Sequence, residues 1–437
     1  MSTNADGQLN YAHQADGSSG AAAETASGYI SRTQSACAAS DPVRVLHLVS
    51  HPIQYFVPLY RAIERRSDLD LTVLFMSVAT AATFHDPGFG RAINWNAALL
   101  DGYRSVTVNS ALSRPLPQRV FERPRLDLLK VIARAEYDVL WAHGYASVTV
   151  WLAYAIARLR RKGFLLRDEQ TTLHPRRWHK RVLKRVVLTI LLRGASGLFI
   201  GSENRRFLLS YGARPERLFP TPYSVDAERL EADVQRMRQR RDRVRSGYGV
   251  PDARPVVLFV GKLVDKKAPE HVLSAFARVR AKTPCALLFV GDGPLRDSLE
   301  RTAASVPDVH FVGFHDQRSI AAAYAAGDVF VLASLHDETW GLVVNEALAS
   351  GLPVVVSDKV GCAADLVRDG WNGYVTSAGD VDSLAEALER LIGSATRRDL
   401  FGERGREIVR AFSVESAADG VAAAASASVR GRVGVSE

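Results

Sequence analysis

The chain has 437 residues, 47% of them hydrophobic and 24% charged, the composition of a globular protein and too much chain for one ordinary core. Its three cysteines, Cys37, Cys285 and Cys362, are odd in number and widely spaced; they argue against a disulfide framework and a zinc site and fit a reducing cytosol. A net charge of +9 draws anions such as nucleotides, phospholipid headgroups or nucleic acid, without choosing among them.

Residues 1–40 are rich in Ala, Ser, Gly, Asn and Gln without apolar periodicity, and read as a disordered tail. No basic start leads into an apolar core, and no apolar run has the roughly 18 residues of a spanning helix. The expectation is a cytoplasmic protein, at most peripheral to a membrane.

Val43–Ser50 is a buried-strand run, His51-Pro52 breaks it, a helix follows from about Tyr55 to Arg65, and Leu71–Met76 is the next strand. Strands alternating with helices predict a parallel sheet whose ligands lie beyond the carboxyl ends of the strands. Residues 84–103 carry glycines and aromatics, a composition that suits an acceptor-shaping loop as well as ordinary loop packing. Asp138–Gly144 places His143 at a strand's carboxyl end, and Phe164–Glu169 brings charged residues to the same side. Arg176–Arg193 is a basic amphipathic helix that could lie on an anionic membrane. A packed helix with a solvated basic end is the simpler reading. Pro220–Asp226 reads as an interdomain linker. The charged helix after it (Glu228–Arg245) reads as a solvated face, and no nucleic-acid-binding module is present.

The second half opens with the strand Val256–Gly261, followed by Lys262, Lys266 and Lys267. Gly291-x-Gly293 makes a poor dinucleotide fingerprint because Arg296 stands in the third glycine's place. An apolar run ending near Val331 predicts a strand, Leu342–Ser350 a helix stopped by Gly351 and Pro353, and Pro353–Ser357 the next strand. The intervening loop holds Glu338, then Gly341 at the helix start, with Glu346 one turn inside. Free N–H groups and the helix dipole make an anion site there, and a glycine lets a diphosphate approach the backbone. One carboxylate on each side of that glycine suits a molecule with hydroxyls flanking a diphosphate, as in a nucleotide-sugar. A strand, glycine loop and helix also occur in every doubly wound sheet, so spacing alone leaves both readings open. Asp68-Leu-Asp70 precedes a strand on the side away from the cleft, and Asp380-Val-Asp382 sits at a helix start. Both read as local structure rather than as metal ligands.

The string Glu338-x7-Glu346 followed by Ala-x-Ala-x-Gly-x-Pro resembles the signature of retaining GT-B glycosyltransferases of family 4. The opening His51-Pro-Ile-Gln-Tyr55 resembles one subgroup of them. The resemblance implies an α/β fold of two facing Rossmann-like domains with a cleft between them and a terminal helix crossing back. It divides the chain into the tail 1–40, an acceptor domain 41–220, a nucleotide-sugar donor domain 221–411 and a crossing helix and tail 412–437. It also implies transfer of a sugar from a nucleoside diphosphate-sugar to a glycan or lipid-linked acceptor, without a cofactor or metal. Bacterial surface polysaccharide assembly is a setting by analogy only. By the same resemblance His143 and Glu338 meet the sugar. Gly261, Lys262, Lys267, Gly341, Leu342 and Glu346 bind the rest of the donor, with Lys266 an alternative to Lys267. Lysine at 262 gives up the bidentate fork of an arginine. The paired glycines that many relatives carry after the first strand are absent here, and His51 either meets a substrate or caps a turn. The exit of His310–His315 resembles the family's base-binding segment. A non-catalytic nucleotide-sugar or glycan binder and a nucleotide-sugar epimerase remain as other readings of the same architecture.

Overall fold

The computed structural model describes residues 41–81, 83–86, 88–95, 98–107, 124–173, 178–250 and 254–433. The tail 1–40 and Cys37 lie outside the described residues. In the first half the strands are β1 (Val43–Val49), β2 (Leu69–Phe75), β3 (Phe84–Asp86), β4 (Arg91–Ile93), β5 (Ser105–Thr107), β6 (Val139–His143), β7 (Gly163–Arg167), β8 (Ser196–Phe199) and β9 (Leu218–Pro220). The second half contributes β10 (Val256–Val260), β11 (Ala286–Val290), β12 (Val309–Gly313), β13 (Val329–Leu332), β14 (Val354–Ser357) and β15 (Gly373–Thr376).

They form a seven-stranded sheet in the order β5-β2-β1-β6-β7-β8-β9 and a six-stranded sheet in the order β12-β11-β10-β13-β14-β15. Neighbours in both sheets run parallel. Helices bury both faces, which is why the strands read as unbroken apolar runs rather than as alternating ones. In β1, Val45 and Val49 face one core while Leu46 and Leu48 face another. In β10, Leu258 and Val260 face one core while Val257 and Phe259 face the other. Chain order reverses between β1 and β6 in the first sheet and between β10 and β13 in the second. Crevices open at such points, beyond the carboxyl ends of the strands.

The charged helix predicted from Glu228 to Arg245 is two helices, Ala227–Arg238 and Arg241–Gly247. Its basic run is solvated at Arg236, Arg240 and Arg243, as composition suggests, but Arg241 and Arg245 turn inward. The Arg245 side chain is buried and donates to Ala326 O at 2.8 Å and to Asp328 at 2.6 Å; Arg241 donates to Gly327 O and Asp328 at 2.8 and 2.7 Å. The carbonyls at the end of helix Ile320–Ala326 lack helical partners, and these guanidiniums supply them.

The last helix, Val414–Val433, packs on the first half rather than the second, placing Val414, Ala417, Val421 and Ala425 in the core with β1 and β2. Small residues let it come close. A Cβ at Gly420 would stand 1.7 Å from the Pro220 carbonyl oxygen. No helix among the described residues is long and apolar enough to cross a membrane.

Gly420→Ala should therefore destabilise the protein by about 1–3 kcal/mol, the cost of overpacking. In an exposed helix interior the same change stabilises by about 1 kcal/mol. Denaturant melts of wild type and variant give the sign directly.

Candidate active site

The two switch points face each other. From the first half come the residues after β1 and at the end of β6 and β7; from the second come the loops after β10, β11 and β13. Between them lies a cavity open to solvent. Its walls include Gln54 and Tyr55 from the first half and Gly261, Gly291, Phe314 and Glu346 from the second.

Gly261 and Gly291 form a floor of bare backbone. A Cβ at Gly291 would lie 1.9 Å from the Gly261 carbonyl oxygen, so the two loops touch only because residue 291 carries no side chain. Lys267 turns from the loop after β10 toward the loop after β13 and pairs with Glu338. Glu338 is buried and also accepts from Ser334 Oγ at 3.1 Å. Burial raises its pKa, and Lys267, Lys266 and Ser334 more than offset this, so the carboxyl titrates below its ordinary range. Lys266 itself points to the Asp337 carbonyl, 3.3 Å away, and is half-buried.

Gly341 caps helix Leu342–Ala349 in the left-handed conformation, with φ 96°, and offers no side chain to the helix's first N–H groups. Those donors, the N–H of Leu342 among them, have no partner inside the helix. Deeper in, Glu346 accepts from Tyr324 Oη at 2.7 Å, and Tyr55 of the other half lines the same pocket beside it. Burial pushes the Glu346 carboxyl up to about 7, against the lowering pull of the Tyr324 and Tyr55 hydroxyls.

On the opposite wall, His143 ends β6 and its Nε2 lies 3.3 Å from Glu169 Oε1. Its Nδ1 is buried and makes no hydrogen bond within the protein. Glu169 also accepts from Tyr223 Oη. Burial raises the Glu169 pKa, but His143, Arg167 and Tyr223 outweigh it and hold the carboxyl below its ordinary range. Arg167 is sandwiched between the Phe56 and Tyr223 rings, 5.1 and 4.9 Å from their centroids. His51 bonds Ser50 Oγ through Nδ1 at 2.9 Å. Burial lowers its pKa, as does the nearby His143.

Of the residues singled out from sequence, Gly261 and Glu346 line this cavity; Lys267 pairs with Glu338 in the neighbouring loop, and Lys262 stands apart from Lys267. Its Nζ contacts both Asp86 oxygens, at 2.8 and 2.9 Å. Within the segment 84–103, read from composition either as an acceptor-shaping loop or as ordinary loop packing, Phe84–Asp86 and Arg91–Ile93 form the antiparallel hairpin β3–β4, which reaches the second half. Tyr55, Asp86, Arg167 and Glu169 were not named as site residues. Only the last two had a local signal, being charged at the end of a buried strand. Among the described residues, no three His, Cys, Asp or Glu side chains are placed to hold a metal. Asp68 pairs with Arg66, Asp70 with Arg104 and Asp382 with Arg278, and Asp380 caps the N–H groups of residues 382 and 383.

Two parallel sheets facing across such a cleft define a GT-B protein, and the chain belongs to the family Glycosyl transferases group 1, whose pattern matches residues 240–408. It is 30% identical over 323 residues to the GDP-mannose-dependent alpha-(1-6)-phosphatidylinositol monomannoside mannosyltransferase of Mycolicibacterium smegmatis, covering 71% of this chain and 80% of that protein. It is 36% identical over 187 residues to the Arabidopsis thaliana sulfoquinovosyl transferase SQD2, covering 42% of this chain but 34% of that protein. Among solved structures, Anabaena HepE in complex with UDP superposes with a TM-score of 0.66 at 20% identity, over 88% of this chain and 100% of that one.

With Lys267 and Glu338 both largely out of water, Lys267→Met should destabilise by about 3 kcal/mol because it strands a buried carboxylate. Adding Glu338→Gln should recover most of that loss. A double-mutant cycle on unfolding free energies checks it; additive effects would separate the two side chains.

Proposed function

We propose that the protein transfers a sugar from a nucleoside diphosphate-sugar to a glycan or lipid-linked acceptor, keeping the anomeric configuration and needing no divalent metal. The observation that carries this reading is the loop Ser334–Gly341. It combines a buried carboxylate, a lysine partner and an uncapped helix start within one cleft. Such an arrangement offers donors to a diphosphate on one side and acceptors to sugar hydroxyls on the other. Glu346 takes the ribose hydroxyls and Glu338 the sugar hydroxyls. Lys262, Lys267 and the N–H groups of Gly341 and Leu342 meet the diphosphate. As the bond to the sugar breaks, the leaving diphosphate gains charge, and these fixed positive groups stabilise it. His143 lies near the reacting carbon; Glu169 fixes its Nε2–H, which leaves Nδ1 as an acceptor for a substrate hydroxyl.

The relatives' names support the two ends of the reaction: one uses GDP-mannose on a phosphatidylinositol mannoside. A lipid-linked acceptor also suits helix Trp178–Gly194, which exposes Val186 and Ile190 one turn apart. Such a face could rest on a membrane from the cytoplasmic side. Surface polysaccharide assembly is the setting we propose.

Glu346→Gln should weaken binding of the free nucleoside diphosphate about ten- to hundredfold, the worth of a charge-assisted hydrogen bond. Glu338→Gln should spare that binding and slow transfer by a similar factor. Calorimetry on the diphosphate and rates with the sugar nucleotide separate the two, and equal effects on diphosphate affinity would refute the assignment.

The Glu346 carboxyl also sets a pH dependence. Hydroxyl donors favour its ionised form, so affinity should strengthen as pH rises through about 7. Glu346→Gln should lose this dependence while the phosphate's own titration persists. Transfer should continue in excess EDTA. Activity abolished by EDTA and restored by magnesium or manganese would mean that the lysines do not meet the charge alone.

A further inference from the structure

The hairpin β3–β4 belongs to the first half by chain and forms a two-stranded sheet of its own, yet its tip rests on the second half. Asp86 pairs with Lys262 through both oxygens. The Lys262 ammonium lies 4.8 Å from the centre of the Phe89 ring, and a Cβ at Gly88 would stand 2.7 Å from that same nitrogen. Phe89 and Trp95 pack on Phe314 with ring centres 5.0 and 5.6 Å apart. Arg91 makes a second ion pair across the cleft, 3.2 Å from Asp292. Phe89 and Trp95 also line the cavity between the halves together with Gly261 and Glu346. The hairpin thus walls the same cavity that the donor-binding residues line.

The Asp86 carboxylate is held in place from its own side. One of its oxygens accepts from the Gly88 and Phe89 N–H groups at 2.7 and 3.2 Å. The side chains of Asp86 and Lys262 are only 16% and 34% exposed. Asp86 therefore presents to Lys262 a fixed anion with two oxygens, the same chemistry as a phosphate. A diphosphate and this carboxylate cannot both hold the one ammonium at these distances without bringing their negative charges into contact.

We propose that the hairpin is a displaceable part of the donor site: Asp86 occupies Lys262 until a nucleoside diphosphate arrives, and donor binding exchanges carboxylate for phosphate. The hairpin tip is released from Lys262 by that exchange, while Phe89 and Trp95 remain able to cover the nucleobase end of the cavity. The inference rests on the reading of Lys262 as a diphosphate ligand.

The test uses the full chain as wild type, Asp86→Asn, Lys262→Ala and the double variant. Asp86→Asn removes the charge and keeps an amide oxygen for the Gly88 and Phe89 N–H groups, so the turn is retained; thermal melts verify folding. Calorimetry with the uridine, guanosine, adenosine, cytidine and thymidine diphosphates, and with the nucleoside of whichever binds, gives the affinities. The expected result is about tenfold tighter diphosphate binding in Asp86→Asn, a range set by a partly buried ion pair. Nucleoside affinity should not change, and the gain should vanish in the Lys262→Ala background. If Lys262→Ala weakens diphosphate binding but Asp86→Asn does not strengthen it, or strengthens it equally without Lys262, the exchange is overturned and the donor reading stands. If Lys262→Ala binds diphosphate as tightly as wild type, or wild type binds none of the five, the donor reading falls and the exchange with it.

Discussion

The second half depends on one ion pair that neither partner could sustain alone. Lys267 and Glu338 are 13% and 12% exposed, and removing an ion from water costs several kcal/mol even after relaxation. Each offsets the other's cost, so the loop after β10 and the loop after β13 are tied together wherever the chain is folded. That tie fixes where Gly341 begins its helix, because only two residues separate Glu338 from Gly341. Val360 then closes over the glycine: a Cβ at 341 would lie 3.0 Å from Val360 Cγ1. Gly361 donates its N–H to the Glu338 carbonyl at 3.0 Å, so the carboxylate, the helix start and the next turn form one rigid piece.

The sequence showed this piece clearly because its parts are close in the chain. Strand, Glu338, Gly341, helix, Glu346 and Pro353 follow one another between residues 329 and 353, and each leaves a local mark: an apolar run, a glycine, a stop. Alternating strands and helices likewise disclosed parallel sheets. What stayed hidden are contacts between segments that no local pattern connects. Asp86 meets Lys262 across 176 positions, and Tyr55 stands beside Glu346 in one pocket. A composition rich in glycine and aromatic residues marked 84–103 as a surface loop, but it could not say which half the loop would touch. The basic run around Arg241 and Arg245 misled for a related reason. Its partners are helix-end carbonyls and Asp328, some 80 residues downstream.

The halves meet through elements that also carry the site. Ser202 donates from its N–H and its hydroxyl to Asp365 at 3.0–3.1 Å, so a carboxylate of the second half caps helix Ser202–Ser210 of the first. Asn345, the neighbour of Glu346, donates to the Tyr223 carbonyl at 3.1 Å and accepts from Trp340 Nε1 at 2.8 Å. Tyr223 in turn bonds Glu169, the partner of His143. A continuous chain of polar contacts therefore runs from the helix that bears Glu346 to the histidine on the far wall. A shift of one half against the other would have to break or re-form these bonds, and so would change both walls together.

Charge balance in the cleft follows from the same pairing. Lys262, Lys267 and Arg91 each face a carboxylate, Asp86, Glu338 and Asp292 respectively. The chain's excess of positive charge is thus not concentrated as bare cations where the donor would enter. An arriving anion must compete with a carboxylate already in place, and a singly charged group gains little by doing so. In the exchange proposed above, a diphosphate would bring more charge and more oxygens than the carboxylate it replaces, so the pairing would favour polyanions over monoanions. The walls of the cavity, where Phe314, Trp95 and Tyr55 stand and burial pushes the Glu346 carboxyl up to about 7, would then carry the discrimination among nucleotides.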